Sequence, residues 1–479
     1  MAKGRKALWI AWGVMSVAIG GYLGAGLVAE SAAGSAWLGP ARSLLLPGTT
    51  SHGHYQIELA CESCHARPFG GKDGLQEACV RCHGAALKEA DDKHPLAKFT
   101  DPRNADRLEK LDATLCVTCH VEHRPQITTA MGVTMPRDYC FHCHAEIAKD
   151  RPSHEGLAFD TCSSSGCHRY HDNRALYEDF LAKRLDQPQV LPEARLPGRD
   201  FRDVAAQVPG YPSQRYPVRP LREPDADAPP ALRSKAGATR EWLETAHASA
   251  GVNCSGCHRV ERNDAPAWVE RPDHGVCKGC HELETKGFLG GRHGMRLAEK
   301  LSPMTPARAR LPMKPEAHDT AVDCTTCHAA HRFDTRRAAV EACLGCHRDQ
   351  HSVAYEGSPH HRLWQAELAG AAPPGSGVSC ASCHLPRVEH RMVDAGLKRV
   401  LVQHNQNDTL RPNDKMVRPV CLACHGLGFA FDSLADRALV ERNFAGPPRA
   451  HVKSLEMVME RLRQIEEKRS RRQPRAAGR

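Results

Sequence analysis

Bulky core-forming residues are scarce in this chain. Aromatic side chains make up 5% of its 479 residues, and 33 prolines and 38 glycines interrupt the rest. Few stretches could build the ordinary hydrophobic cores expected of the two to four domains that this length suggests. Methionine is sparse as well, 11 in all, with Met1 and Met15 at the very start. An acidic surplus is also missing, since the formal net charge is +9. Much of that excess sits in residues 461–479, where eight Arg or Lys stand against two Glu. Such a tail reads as a solvated end, with nucleic-acid binding as the alternative use.

No cysteine is spare either. Ten copies of Cys-x-x-Cys-His occur, at 61/64/65, 79/82/83, 116/119/120, 140/143/144, 254/257/258, 277/280/281, 324/327/328, 343/346/347, 380/383/384 and 421/424/425. An eleventh copy is stretched to four spacer residues, Cys162-Ser-Ser-Ser-Gly-Cys167-His168. Together they use all 22 cysteines, which leaves no thiol for a disulfide or a cysteine nucleophile. One Cys-x-x-Cys is compatible with a redox pair or half of a zinc site. Eleven pairs, each followed directly by histidine, point instead to thiols one turn apart that bind the two vinyl groups of a haem, with His65, His83, His120, His144, His168, His258, His281, His328, His347, His384 and His425 as the proximal iron ligands. Eleven covalently attached haem c groups are expected, numbered here as sites 1 to 11 in chain order. They would supply much of the buried apolar surface that the side chains do not.

Histidine is the one residue in clear surplus. Of 29, 18 lie outside the motif positions, enough to give each iron a second imidazole. The distal candidates are His52, His54, His94, His123, His154, His171, His247, His274, His293, His318, His331, His351, His360, His390 and His404. Three motifs continue as Cys-His-x-x-His, pairing His120 with His123, His168 with His171 and His328 with His331. The second imidazole lies about one turn beyond the first, so it cannot reach round to the far face of the same ring and is expected to serve a neighbouring haem. His142, inside an attachment loop, reads as a bystander.

Residues 1–30 combine a basic flank with an uncharged run from Ala7 to Ala29. As a helix, that run would be about 34 Å long, which suits a transmembrane anchor with the bulk of the chain outside the cytoplasm. A cleaved signal is the alternative. Residues 31–180 form a five-haem module and 181–240 a linker with ten prolines and neither Cys nor His. Residues 241–450 form a six-haem module, and 451–479 a C-terminal helix and basic tail. In that helix Val452, Leu455, Val458 or Met459, Leu462 and Ile465 share one face. The fold expected is mostly α with extensive loops, packed on haem, with little or no sheet.

The repeated motifs resemble those of the multihaem c-type cytochromes, over about residues 52–425. The first module is similar to the small cytochrome c3/c7 proteins and to NapC/NirT-type membrane-anchored quinol-oxidising carriers. The second, in Gly291-Arg-His293-Gly294, Ser358-Pro-His360 and Cys383-His384-Leu-Pro-Arg387, resembles the pentahaem nitrite reductase and octahaem hydroxylamine oxidoreductase group. The resemblance implies an electron carrier in the bacterial cytoplasmic membrane, with a single N-terminal span and its bulk in the periplasm. Its partners would be a membrane quinone or quinol-oxidising complex and periplasmic or outer-membrane redox proteins, with no nucleic acid. The alternative is an oxidoreductase of small nitrogen or sulfur compounds, with one open haem near Tyr355, His360, His361 and Arg362. No Cys-x-x-Cys-Lys is present, and no tyrosine can be placed as a haem cross-link; both departures weigh against catalysis.

Overall fold

The computed structural model describes residues 2–28, 44, 46–67, 70–90, 92, 101–102, 105–129, 132–151, 154–162, 170–171, 178–193, 219–233, 237–262, 265–392, 397–410 and 413–472. As expected, the architecture is mostly short helices and loops, with two small hairpins as the only sheets among these residues. The first helix, α1, runs from Ala2 to Val28. Leu8, Trp9, Ile10, Val14 and Val17 all stand exposed along it. Of the apolar run 7–29, the side chains at 8–23 and 25 are described, and among the described residues no helix is long and apolar enough to cross a membrane. The expected helix forms, and its crossing of a membrane finds no support among the described residues.

Two compact units follow from the packing: residues 1–177 with 295–302, and residues 178–294 with 303–479. The Pro-rich stretch 181–240 lies within the second, although 194–218 and 234–236 fall outside the described residues.

Unit 1 is organised around its attachment motifs. Helix α2, Gly71–Glu89, carries site 2, and one-turn helices Cys61–Cys64, Cys116–Cys119 and Phe141–His144 carry sites 1, 3 and 4. Its buried apolar side chains among the described residues are Ala60 and Ala78 alone. Polar groups fill the remaining interior. Arg296, 6% exposed, donates from Nη1 to the Gln56 carbonyl at 2.6 Å and from Nε to the Ser302 carbonyl at 2.8 Å. A guanidinium this buried is tolerable because several of its donors meet carbonyls or hydroxyls. The Ser63 hydroxyl donates to Glu299, which ties down the same 295–302 segment.

Unit 2 has apolar packing of its own. Trp242, Ala226 and Ala248 are buried together with Leu221 and Leu243 beside them, and the Trp242 indole donates to the Val252 carbonyl at 3.1 Å. In this unit, helix α3 spans Glu178–Ala182, α4 Glu282–Gly290 and α5 Pro359–Leu368, while α6 and α7 cover Leu427–Ala435 and Arg437–Glu441. Leu427 and Leu439 are fully buried. The last helix, α8 (Ser454–Arg472), packs against α3 with Val458 inward and Met459 exposed. The apolar stripe therefore covers the unit through Val458, which resolves the two-way choice left by the sequence. Hairpin β1–β2 pairs Arg259–Arg262 with Ala265–Trp268, and β3–β4 pairs Arg387–Met392 with Leu397–Val402.

Candidate haem sites

Seven of the described attachment loops close in the same way, as a single turn. The amide of the motif histidine donates to the carbonyl of the first cysteine at 2.8 Å for His65, His281 and His425, 2.9 Å for His120, His258 and His347, and 3.0 Å for His144. That bond sets both thiols on one side of the turn and the imidazole beyond them, the arrangement that two thioethers and an axial ligand require. Caps start several turns at the right residue: the Asp323 carboxylate accepts from the Thr326 amide at 2.9 Å, and the Ser379 hydroxyl from the Ser382 amide at 3.2 Å. Cys167 and His168, in the stretched site 5, lie outside the described residues.

Across from the motif histidines stand other histidines. In unit 2 the ring centroids of His258 and His331 are 5.8 Å apart, His281 and His247 6.0 Å, His328 and His404 6.3 Å, His347 and His293 6.2 Å, His384 and His351 6.0 Å, and His425 and His360 6.3 Å. All six proximal positions of this unit thus face one non-motif imidazole each. In unit 1, His83 faces His54 at 5.9 Å and His120 faces His171 at 6.1 Å. Two metal–nitrogen bonds of about 2 Å, plus about 1 Å from each nitrogen to its ring centre, separate two imidazole centroids by about 6 Å. The observed separations leave room for one iron between each pair. Among the described residues no group of three or more His, Cys, Asp or Glu could hold a metal ion by itself. Two protein nitrogens per centre are what a metal already held by a macrocycle needs. The residues present therefore fit haem.

Hydrogen bonds fix which nitrogen faces the gap. Nδ1 meets a backbone carbonyl in His120 (Gly132, 3.0 Å), His258 (Val269, 2.7 Å), His351 (Val440, 2.5 Å), His404 (Val402, 2.9 Å) and His425 (Gln189, 3.0 Å). In His54 and His171 it meets a carboxylate instead, Glu122 at 2.6 Å and Asp92 at 2.9 Å. A bond of this kind turns Nε2 toward the metal and raises its basicity. Burial also holds His293, His360 and His384 at a pKa of about 4, in the neutral form that can ligate. Burial alone would raise the Glu122 carboxyl, but hydrogen bonds from His54 and Ser51 outweigh it and bring the pKa down to about 2. Close backbone packing places two of the ligands. A Cβ on Gly291 would come 2.9 Å from the His404 carbonyl oxygen, so the Gly291–Gly294 loop can lie against 403–406 only with glycine there.

Other candidates stay outside this pattern. His361 accepts from the Gly357 amide at Nδ1 and contacts Gln365 at Nε2, both at 3.1 Å. His451, likewise, uses both nitrogens, on Asp432 and Glu456. Among the described residues His274, His318 and His390 are not brought against a motif histidine. His52 lies beside Tyr55, with centroids 5.9 Å apart. His94 lies outside the described residues. The groups suggested for an open catalytic face are all engaged. Tyr355 is 2% exposed and donates to the Val378 carbonyl at 2.8 Å, Arg362 donates to the Gly357 carbonyl at 2.6 Å, and His360 faces His425.

Neighbouring sites meet through their cysteines in a regular alternation. First cysteines lie close together between sites 2 and 3 (Cys79, Cys116), 4 and 5 (Cys140, Cys162), 7 and 8 (Cys277, Cys324) and 9 and 10 (Cys343, Cys380). Second cysteines are neighbours between sites 1 and 2 (Cys64, Cys82), 3 and 4 (Cys119, Cys143), 6 and 7 (Cys257, Cys280), 8 and 9 (Cys327, Cys346) and 10 and 11 (Cys383, Cys424). As free thiols the touching pairs perturb each other, Cys79 pushed well up and Cys116 down to about 6. As thioethers they would carry no proton. Within each unit, consecutive sites in sequence are therefore consecutive in space.

Sequence reasoning named the imidazoles that stand across from the motif histidines but missed what orients them: Glu122, Asp92, the Gln189 carbonyl, and the rings of Trp268 and Phe429 stacked on His258 and His425 with centroids 5.1 and 5.0 Å away. These contacts join residues far apart in the chain and leave no local signature. Residues 53–145 match the cytochrome c3 family model. No curated protein and no solved structure matches the chain. The matched stretch holds sites 1 to 4, and with it this part of the molecule is a cytochrome c3-like domain, a multihaem c-type cytochrome region for electron transfer that binds haem c covalently.

Proposed function

We propose that the chain is a relay of eleven bis-histidine haems, held at the bacterial cytoplasmic membrane by its N-terminal segment, with its bulk in the periplasm. It would pass electrons between a quinone-linked membrane partner and a periplasmic or outer-membrane acceptor. One observation carries this reading: every motif histidine of unit 2 faces a second imidazole at the spacing of one iron. Haem supplies the one-electron redox chemistry. The protein's part would be to fix each centre from both sides, keep the ligating nitrogens neutral and set neighbouring sites close together. Attachment to the membrane is supported by the apolar side chains exposed on α1 behind a basic flank. Catalysis at an open face is disfavoured, because Tyr355, His360, His361 and Arg362 already have partners.

The test is haem quantification together with electron paramagnetic resonance of the oxidised, correctly exported protein. Eleven low-spin haems per chain are expected. A stoichiometric high-spin ferric signal would favour the enzyme reading, and clearly fewer than eleven haems would refute the relay as stated.

A further inference from the structure

We propose that His123 is the second iron ligand of site 1, built on Cys61, Cys64 and His65, because unit 1 repeats the ligation scheme of unit 2. This deepens the relay reading and rests on it.

Two correspondences carry the repeat. His54 stands seven residues before the first cysteine of unit 1 and faces the histidine of that unit's second site. His247 stands seven residues before Cys254, the first cysteine of unit 2, and likewise faces the histidine of the second site there, His281. The third site of unit 1, His120, receives its partner, His171, from just beyond the unit's fifth motif; the third site of unit 2, His328, receives His404 from beyond that unit's fifth motif.

In this register the third motifs coincide, Cys116-Val-Thr-Cys-His-Val-Glu-His123-Arg124 with Cys324-Thr-Thr-Cys-His-Ala-Ala-His331-Arg332. The backbone agrees as well. His123 has φ 61° and His331 φ 64°, a left-handed conformation that few non-glycine residues adopt and that throws the imidazole off the course of the preceding turn. His331 faces His258, the histidine of the first site of its unit. The equivalent partner for His123 is His65. His123 is also prepared as a ligand, since its Nδ1 meets the Gly48 carbonyl at 2.8 Å, which leaves Nε2 as the nitrogen for iron. Its neighbour Glu122 holds His54, the imidazole facing His83. One short strand of chain thus serves sites 1 and 2 together.

The experiment uses the full-length, haem-loaded protein carrying His123→Ala. One high-spin ferric iron per chain, able to bind cyanide, is expected. Adding Cys61→Ala and Cys64→Ala should remove that signal together with one haem, whereas His451→Ala, whose ring nitrogens are both engaged elsewhere, should leave every iron low-spin. Because deletion of a ligand can block maturation, His123→Met is the second variant. It keeps six-coordination but should raise the potential of one couple and introduce a methionine–iron absorption band. The proposal is overturned if His123→Ala leaves all irons low-spin, if its high-spin signal survives loss of the site 1 haem, or if His123→Met moves no couple. A high-spin iron in the unaltered protein would instead count against the relay reading itself.

Discussion

The two units solve the same assembly problem with different materials. Unit 2 buries Trp242, Leu401, Leu427, Phe431 and Leu439 in addition to whatever its porphyrins cover, whereas the described part of unit 1 buries only Ala60 and Ala78 among apolar side chains. At roughly 1.5–3 kcal/mol for each large apolar side chain removed from water, two alanines cannot offset the ordering of so long a chain. The described part of unit 1 thus depends far more than unit 2 on whatever fills the space between its motifs, the role that covalently held haem would play.

The sharpest way to break this comparison is to remove a porphyrin from each side. With Cys116→Ala and Cys119→Ala, amide hydrogen exchange should show protection lost across unit 1, while Cys277→Ala and Cys280→Ala should expose the neighbourhood of site 7 and leave α6 and α7 protected. Equal, local losses in both would contradict the difference drawn here. Next in size, Leu427→Ala should destabilise unit 2 by about 2–5 kcal/mol, read from denaturant unfolding of the oxidised protein. No single apolar truncation in the described part of unit 1 should approach that.

The smallest effect concerns how the facing imidazoles are oriented, by carboxylate for His54 and His171 of unit 1 and by backbone carbonyl for His351 and His404 of unit 2. Glu122→Gln should raise the potential of the site 2 couple by up to about 60 mV, a tenfold change for one electron, measured by redox titration followed spectroscopically. The same carboxyl sets a pH window. Its pKa lies at about 2 in the fold against an ordinary 4.5. Its stabilising contribution is therefore fully present above 4.5 and lost as pH falls toward 2, and Glu122→Gln should abolish that part of the acid sensitivity.

Attachment chemistry was legible in the sequence because it is local: two thiols and an imidazole must sit within one turn, and that spacing cannot be disguised. Helical character and scant sheet followed from the same turns and from the proline and glycine between them. Distal partners were legible only as a pool of histidines, since pairing His404 with His328 or His360 with His425 depends on tertiary packing. The matching offset of His54 and His247 from their first cysteines was present in the sequence, yet it gains meaning only once one of the two is seen to face the second site. Nothing in the composition could reveal that the Gln189 carbonyl, from the Pro-rich stretch, orients His425. Backbone carbonyls belong to every residue and mark none.

His120 faces an imidazole that lies beyond two further attachment motifs. A polypeptide emerging N-terminus first would present His120 without its facing imidazole until two further motifs and His171 had followed. The interval between the two histidines is thus a vulnerability written into the connectivity, and prompt arrival of the later one is what would complete a half-made site.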